Sequence, residues 1–196
     1  MPLAAGTAAM NMSARSLGIA CMLVGVACFA VNDALGKWLV GGFAIGQILL
    51  VRSLAGLALL APAALRAPGA FRRAPPGRMA VRAALHGVES ALFFAALSFL
   101  PLADVVTFYM AAPIWVTALS PFLLGERVGW RRRIAVLAGF GGVVLAVSPG
   151  GGELGWGALI AICGSFTYAL FIIATRRLAG TPVVALLGWQ MGASLL

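Results

Sequence analysis

Charged residues are scarce in this chain, and acidic residues are the scarcest of them. Only 10% of the 196 residues are charged and five are Asp or Glu, whereas 62% are apolar. The mean hydropathy is +1.04. A soluble globule needs far more polar surface than this composition supplies, so the soluble classes are excluded. The composition predicts an all-α polytopic membrane protein.

Histidine and cysteine are also rare, with one His and three Cys in the chain. These are too few for a zinc site or a disulfide framework. The glycines of 139–142 lack the preceding strand and the Lys-Ser/Thr of a phosphate-binding loop. We therefore expect no catalytic residues, no metal and no cofactor, and we predict that the protein is not an enzyme. Any transport would be driven by a gradient or by exchange.

The basic residues outnumber the acidic ones, giving a net charge of +9. A nucleic-acid partner is not expected, because most of the cations lie in short connectors between apolar runs. If the runs alternate across a membrane, these connectors share one side. The positive-inside rule then places the N-terminus in the cytoplasm of a bacterium, with the chain in the inner membrane. The cations counted on this side are Arg15, Arg66, Arg72, Arg73, Arg78, Arg82, Arg127, Arg131, Arg132, Arg133, Arg176 and Arg177.

Apolar runs long enough to cross a bilayer recur along the chain, separated by turn residues or arginines. The central pair meets at a tight corner over 101–104 and closes near Gly125. We expect a seventh span to begin at Thr181 and to be cut short at Leu196. The seven runs are predicted at 16–40, 46–65, 78–100, 104–125, 134–147, 154–173 and from 181 onward.

Several motifs carry a resemblance to the EamA family of the drug/metabolite transporter superfamily. They are LSFLPLAD at 97–104, APIW at 112–115, LLGER at 123–127 and GFGGV at 139–143. The first span, FAVNDALGK at 29–37, is similar to the branch that includes S-adenosylmethionine carriers.

The resemblance implies a helical bundle of inverted five-span repeats. The first repeat would occupy 16–147, a glycine-rich linker 148–153, and the start of a truncated second repeat 154–196. An odd number of spans per repeat inverts the second copy, as in alternating-access carriers.

Ionisable residues inside the spans are the candidates for function, because a charge at bilayer depth is costly and usually faces a partner or a wet cavity. Asp33 in span one and Arg52 in span two are expected at similar depths, with Asn32 beside Asp33. We expect Asp33 and Arg52 to face the central pathway and one of them to engage a substrate or a proton. The alternative is a static ion pair between the spans, with Lys37 serving a structural role at the membrane edge.

Span three carries His86, Glu89 and Ser90 on one face, since they are three and four residues apart. A carboxyl near midspan with a histidine beside it suits a proton-coupled step. An interhelical hydrogen bond is the alternative.

Span four and the corner that follows it supply the remaining candidates. Tyr109 and Trp115 are candidate lining groups, and packing is their alternative role. Pro113 would free backbone carbonyls toward a cavity. Glu126 is expected to be structural, pairing with the nearby arginines.

The residues and the resemblance together predict a secondary transporter, or permease, for a small metabolite or drug-like solute. Its partners would be the lipid bilayer, the solute and a proton or counter-substrate, and a homo-oligomer is left open. The alternative is a truncated, non-transporting subunit or scaffold that needs a partner for its missing half. The site contains both signs of charge, so the charge of the solute stays open.

Overall fold

The computed structural model describes residues 3–67, 69–72, 75–125, 129–147 and 155–193, and most of these residues are in helices. The predicted all-α fold is confirmed. In chain order the helices are α1 (Leu3–Leu39), α2 (Ile45–Arg66), α3 (Gly69–Arg72), α4 (Pro76–Phe99), α5 (Leu102–Tyr109), α6 (Ala112–Leu123), α7 (Trp130–Val147), α8 (Trp156–Arg176) and α9 (Val183–Ala193).

Within the described residues, five stretches are long and apolar enough to cross a membrane: Ser16–Leu39, Ile45–Arg66, Pro76–Phe99, Leu102–Leu123 and Trp156–Arg176. At 21 to 24 residues each, they match the thickness of the hydrocarbon core. The other two expected spans fall in α7 and α9, whose described apolar stretches are shorter, Arg133–Gly142 and Val183–Ala193. Helix α1 begins well before its span, which fits the helix-favouring alanines of its first turns.

The fourth span is interrupted rather than continuous. Helix α5 ends at Tyr109 and α6 begins at Ala112, with a turn at Met110 and Ala111. Pro113 lies in the first turn of α6. It has no N–H to donate to the carbonyl four residues earlier, that of Tyr109, and its ring would clash with that group in a straight helix. Pro113 therefore explains the break and leaves Tyr109 at the end of α5.

The bundle is organised around α4 and α8, which pack along each other. The buried face of α8 is built mostly of small residues: Gly157, Ala158, Ala161, Gly164, Ser165 and Ala169. Small residues allow close backbone approach, and such packing holds helices together where no hydrophobic effect acts between them. A Cβ on Gly157 would lie 2.8 Å from the Phe99 Cβ, so this approach requires glycine.

Helix α1 lies at the edge of the bundle, and none of the residues in its apolar window is buried. It is tied to α4 by Lys37, whose Nζ donates to the carbonyls of Leu97 (2.5 Å) and Leu100 (2.9 Å). A cation at a helix C-terminus satisfies unpaired carbonyls and complements the helix dipole. Lys37 is thus a cap on α4 rather than a side chain extended to the membrane surface.

One cation counted in the connectors is placed differently. Arg82 lies in α4, six residues from its start, and only 5% of it is exposed. Because Arg82 is close to the connector in the sequence, it was expected at the membrane surface. Its side chain instead points toward α8 and α9. Two predictions lie outside the described residues, namely the structural role of Glu126 and the linker at 148–153.

Candidate functional site: a polar cavity between the helices

A cavity of about 310 Å³ lies between α1, α2, α4, α5, α8 and α9. It combines several ionisable groups with an aromatic wall, which is the usual composition of a small-molecule site. Five of the predicted site residues, Asp33, Arg52, His86, Glu89 and Tyr109, line it. The remaining lining residues are Phe29, Ser90, Phe93, Val106, Met110, Tyr168, Phe171 and Gln190.

Glu89 and His86 form the polar centre of the cavity wall on α4. Glu89 is buried, and its Oε2 lies 3.5 Å from His86 Nδ1. That distance allows an ion pair if the histidine is protonated. The geometry does not make a hydrogen bond, so His86 Nδ1 is a buried polar atom without a hydrogen-bond partner among the described residues. Ser90 Oγ donates to Glu89 Oε2 over 3.4 Å and lies 3.5 Å from His86 Nε2.

Asp33 and Arg52 bring one acidic and one basic group to the side of the cavity formed by α1 and α2. In the described part of the chain they do not approach within 4 Å of each other, so they form no direct ion pair. Asp33 Oδ1 instead accepts a 3.4 Å hydrogen bond from Asn32 Nδ2. Both side chains are partly exposed. They are therefore placed to meet a solute or water from the cavity.

Aromatic rings form much of the remaining wall. The rings of Tyr168 and Phe171, one turn apart on α8, are nearly parallel at 22° with centroids 6.3 Å apart. Phe93 meets Tyr109 edge to face at 5.1 Å, and Tyr109 lies 6.0 Å from Tyr168. The Tyr109 hydroxyl donates to the backbone carbonyl of Glu89 over 3.3 Å, which fixes its ring beside the carboxyl-bearing turn.

Behind the aromatic wall, Arg82 binds three neighbours that the sequence did not connect. Its Nε donates to Thr175 Oγ1 (2.9 Å), its Nη1 to the Leu186 carbonyl (3.1 Å) and its Nη2 to Gln190 Oε1 (3.0 Å). The guanidinium also lies over the Phe171 ring, 4.6 Å from its centroid, a cation–π contact. Arg82 thereby positions two lining residues, Phe171 and Gln190.

Three predicted residues lie away from this cavity. Asn32 lines an adjacent apolar groove of about 580 Å³ between α1 and α2. Trp115 packs α6 on α8, where its Nε1 donates to Ser165 Oγ (3.0 Å) and its ring meets Phe166 edge to face. Pro113 shapes the break and does not line the cavity. Tyr168 and Phe171 were missed, although their one-turn spacing in an apolar helix is visible in the sequence.

The fold and the cavity together define an integral membrane protein with a polar, aromatic-walled site enclosed by its helices. Residues 16–148 match the EamA-like transporter family. The chain belongs to that family.

Among curated proteins, the chain is similar to a riboflavin transporter of Rhizobium johnstonii, with 28% identity over 111 residues. The match covers 57% of this chain and 37% of that protein. The chain thus aligns with little more than a third of its relative's length. No solved structure matches it.

Proposed function

We propose that this protein is a secondary transporter that moves a small metabolite across a bacterial inner membrane by alternating access. Family membership supports transport in general, and the cavity supplies a site where a solute can be held between helices. The proposal retains the cytoplasmic N-terminus and the division into a first repeat (16–147), a linker (148–153) and the start of a second repeat (154–196). The family match over 16–148 supports that division.

The observation that carries the proposal is the buried His86 Nδ1, which lies 3.5 Å from Glu89 Oε2 and has no hydrogen-bond partner among the described residues, in a side chain that lines the cavity. A buried polar atom without a partner costs free energy, so a structural role alone explains it poorly. A proton shared with Glu89, or a polar group of the solute, would satisfy it. Glu89 and His86 are therefore assigned to coupling or binding, with Asp33 and Arg52 completing the polar contacts.

For the solute, we propose a planar heteroaromatic compound. The nearly parallel rings of Tyr168 and Phe171 offer a surface on which a flat ring system can stack. The neighbouring carboxylates, histidine and arginine offer hydrogen-bond partners for the ring edge. Riboflavin, suggested by the relative's name, meets this description. So does the adenine ring of S-adenosylmethionine, which the first span's resemblance suggests.

The test is uptake of radiolabelled riboflavin and S-adenosylmethionine by proteoliposomes containing the protein from the complete reading frame. We expect saturable uptake of one of them, abolished when both Tyr168 and Phe171 are replaced by leucine. Thr167→Val is the matched control, because Thr167 lies on the same helix and its hydroxyl donates to the Cys163 carbonyl of that helix. Uptake unaffected by the double replacement would refute the stacking surface. Absence of uptake for these and a panel of other heteroaromatic solutes would refute the proposed substrate class.

A further inference from the structure

A second feature lies on the outer surface of the bundle, away from the cavity. It is a groove of about 660 Å³ between α4 and α8, with α6 at one side. We call it the Arg78–Arg177 groove. It is lined by Gly77, Arg78, Val81, Leu85, Leu123, Leu170, Ile173, Ala174 and Arg177.

The two cations of the groove lie at the same end of the bundle. Arg78 is in the first turn of α4 and Arg177 directly follows the last turn of α8, and both side chains are exposed. Arg177 Nη2 donates to the Leu123 carbonyl, a neutral acceptor. In the described ranges, neither guanidinium forms an ion pair with a carboxylate. Among the described residues, the groove therefore presents two positive charges and no carboxylate paired with either of them.

From this charged end the groove continues over apolar side chains toward the middle of the membrane. Val81 and Leu85 follow Arg78 along α4, while Ala174 and Leu170 precede Arg177 along α8. Seven or eight residues of helix correspond to about 11 Å. Val81 is 59% exposed, so the groove opens to the lipid rather than to the protein interior.

We propose that the Arg78–Arg177 groove binds an anionic phospholipid. The phosphate would lie between the two guanidiniums, which match phosphate oxygens by paired N–H donors. The acyl chains would lie along the apolar part of the groove. Basic pockets between membrane helices recognise acidic headgroups for this reason. The site is separate from the proposed transport cavity and does not depend on the transported solute.

The experiment measures lipid binding by native mass spectrometry of the full protein released from detergent. The probes are phosphatidylglycerol, cardiolipin and phosphatidylcholine, with inorganic phosphate as a headgroup without tails. We expect the anionic lipids to be retained and phosphatidylcholine to be lost at the same activation energy. Equal retention of all three lipids would overturn the proposal, and so would competition by inorganic phosphate at the lipid's concentration.

Two variants localise the binding. The R78Q/R177Q pair should weaken phosphatidylglycerol binding roughly thirtyfold, because each cation near an anionic headgroup contributes about fivefold and the two contributions multiply. Arg66→Gln, which removes an exposed arginine from the end of α2, is the control and should bind as the parent does. Val81→Trp keeps both arginines but fills the tail region, and it should also weaken lipid binding.

Undiminished binding in both R78Q/R177Q and Val81→Trp would place the lipid elsewhere and refute the site. If the parent were a dimer and R78Q/R177Q a monomer that still bound lipid, the groove would instead join two copies of the chain. Because lipid retention is measured without transport, its outcome is distinguishable from that of the uptake assay.

Discussion

At the scale of single residues, the cavity is lined by four acidic or basic side chains, of which only two approach within ion-pair distance of each other. His86 and Glu89 approach to 3.5 Å, whereas Asp33 and Arg52 stay beyond ion-pair distance of each other. Charges in a membrane interior are retained where they face partners or water. A site with loosely opposed charges can exchange one protein contact for a solute or a proton. The first two predictions follow from this arrangement.

Replacing Glu89 with Gln should abolish the dependence of uptake on a proton gradient. The amide keeps the size of the side chain but cannot bind and release a proton as a carboxylate does. Uptake into proteoliposomes with and without an imposed proton gradient should differ in the parent and be equal in the variant. Equal uptake under both conditions in the parent would refute coupling through Glu89.

Replacing Asp33 with Asn should lower uptake at least about tenfold. A hydrogen bond between a charged group and a solute typically strengthens binding by about tenfold or more. Asp104→Asn is the matched control, because Asp104 lies in the first turn of α5 and outside the cavity. Uptake and the amount of protein in the membrane are measured together. Normal uptake in the Asp33 variant at normal expression would leave Asp33 a structural residue.

At the scale of helices, two contacts position the aromatic wall. Arg82 joins α4 to α8 and α9, and Gly164 lets α8 approach Tyr109 on α5. Both act on lining residues from outside the cavity. Each can be tested by stability as well as by uptake.

Arg82→Met should lower the free energy of unfolding by roughly 2 kcal/mol. The change removes three hydrogen bonds, and such bonds in membrane proteins average about 0.6 kcal/mol each. Thermal unfolding in detergent, followed by size-exclusion chromatography, measures the loss. Arg66→Gln is the control, because that exposed side chain makes no comparable set of bonds. A melting temperature equal to the parent's would show that the Arg82 network contributes nothing.

Gly164→Ala should destabilise the protein by about 1–3 kcal/mol, because the added Cβ would overlap the Tyr109 hydroxyl. Tyr109→Phe removes that hydroxyl, so the double variant should regain part of the lost stability. Gly139→Ala on α7 is the control, since a Cβ there would meet no described atom within 4 Å apart from its own helix backbone. Additive losses in the double variant would contradict a direct contact between Gly164 and Tyr109.

Much of the membrane fold could be predicted, because an apolar run indicates each helix and the arginines beside it indicate where the helix ends. The stripe of His86, Glu89 and Ser90 was visible for the same reason, since it depends only on spacing along one helix. The packing of Trp115 on α8 and the burial of Arg82 against α8 and α9 could not be derived from the sequence, because both depend on which other helix the residue faces. Helical periodicity gives the face of a residue but not its neighbour. Pro113 lies between these cases. The sequence predicted that it would free backbone carbonyls, whereas the break between α5 and α6 and the position that it gives Tyr109 required the structure.

At the scale of the whole molecule, the distribution of cations predicts the orientation. In the described ranges, exposed arginines lie at the C-terminal ends of α2 and α8 and at the N-terminal ends of α4 and α7. The opposite ends carry Lys37, which caps α4 instead of facing the headgroups. Since basic connectors are retained in the cytoplasm, the turn between α1 and α2 should face the periplasm.

Single cysteines test this orientation in intact cells, after the three native cysteines have been replaced by serine. Gly42→Cys, in the turn after α1, should react with a membrane-impermeant maleimide. Ala179→Cys, after α8, should react only once the cells are permeabilised. These two positions are both exposed, so a difference in labelling reports the side of the membrane rather than burial. The reverse pattern would invert the molecule, and the Arg78–Arg177 groove would then meet the outer leaflet instead of the inner one.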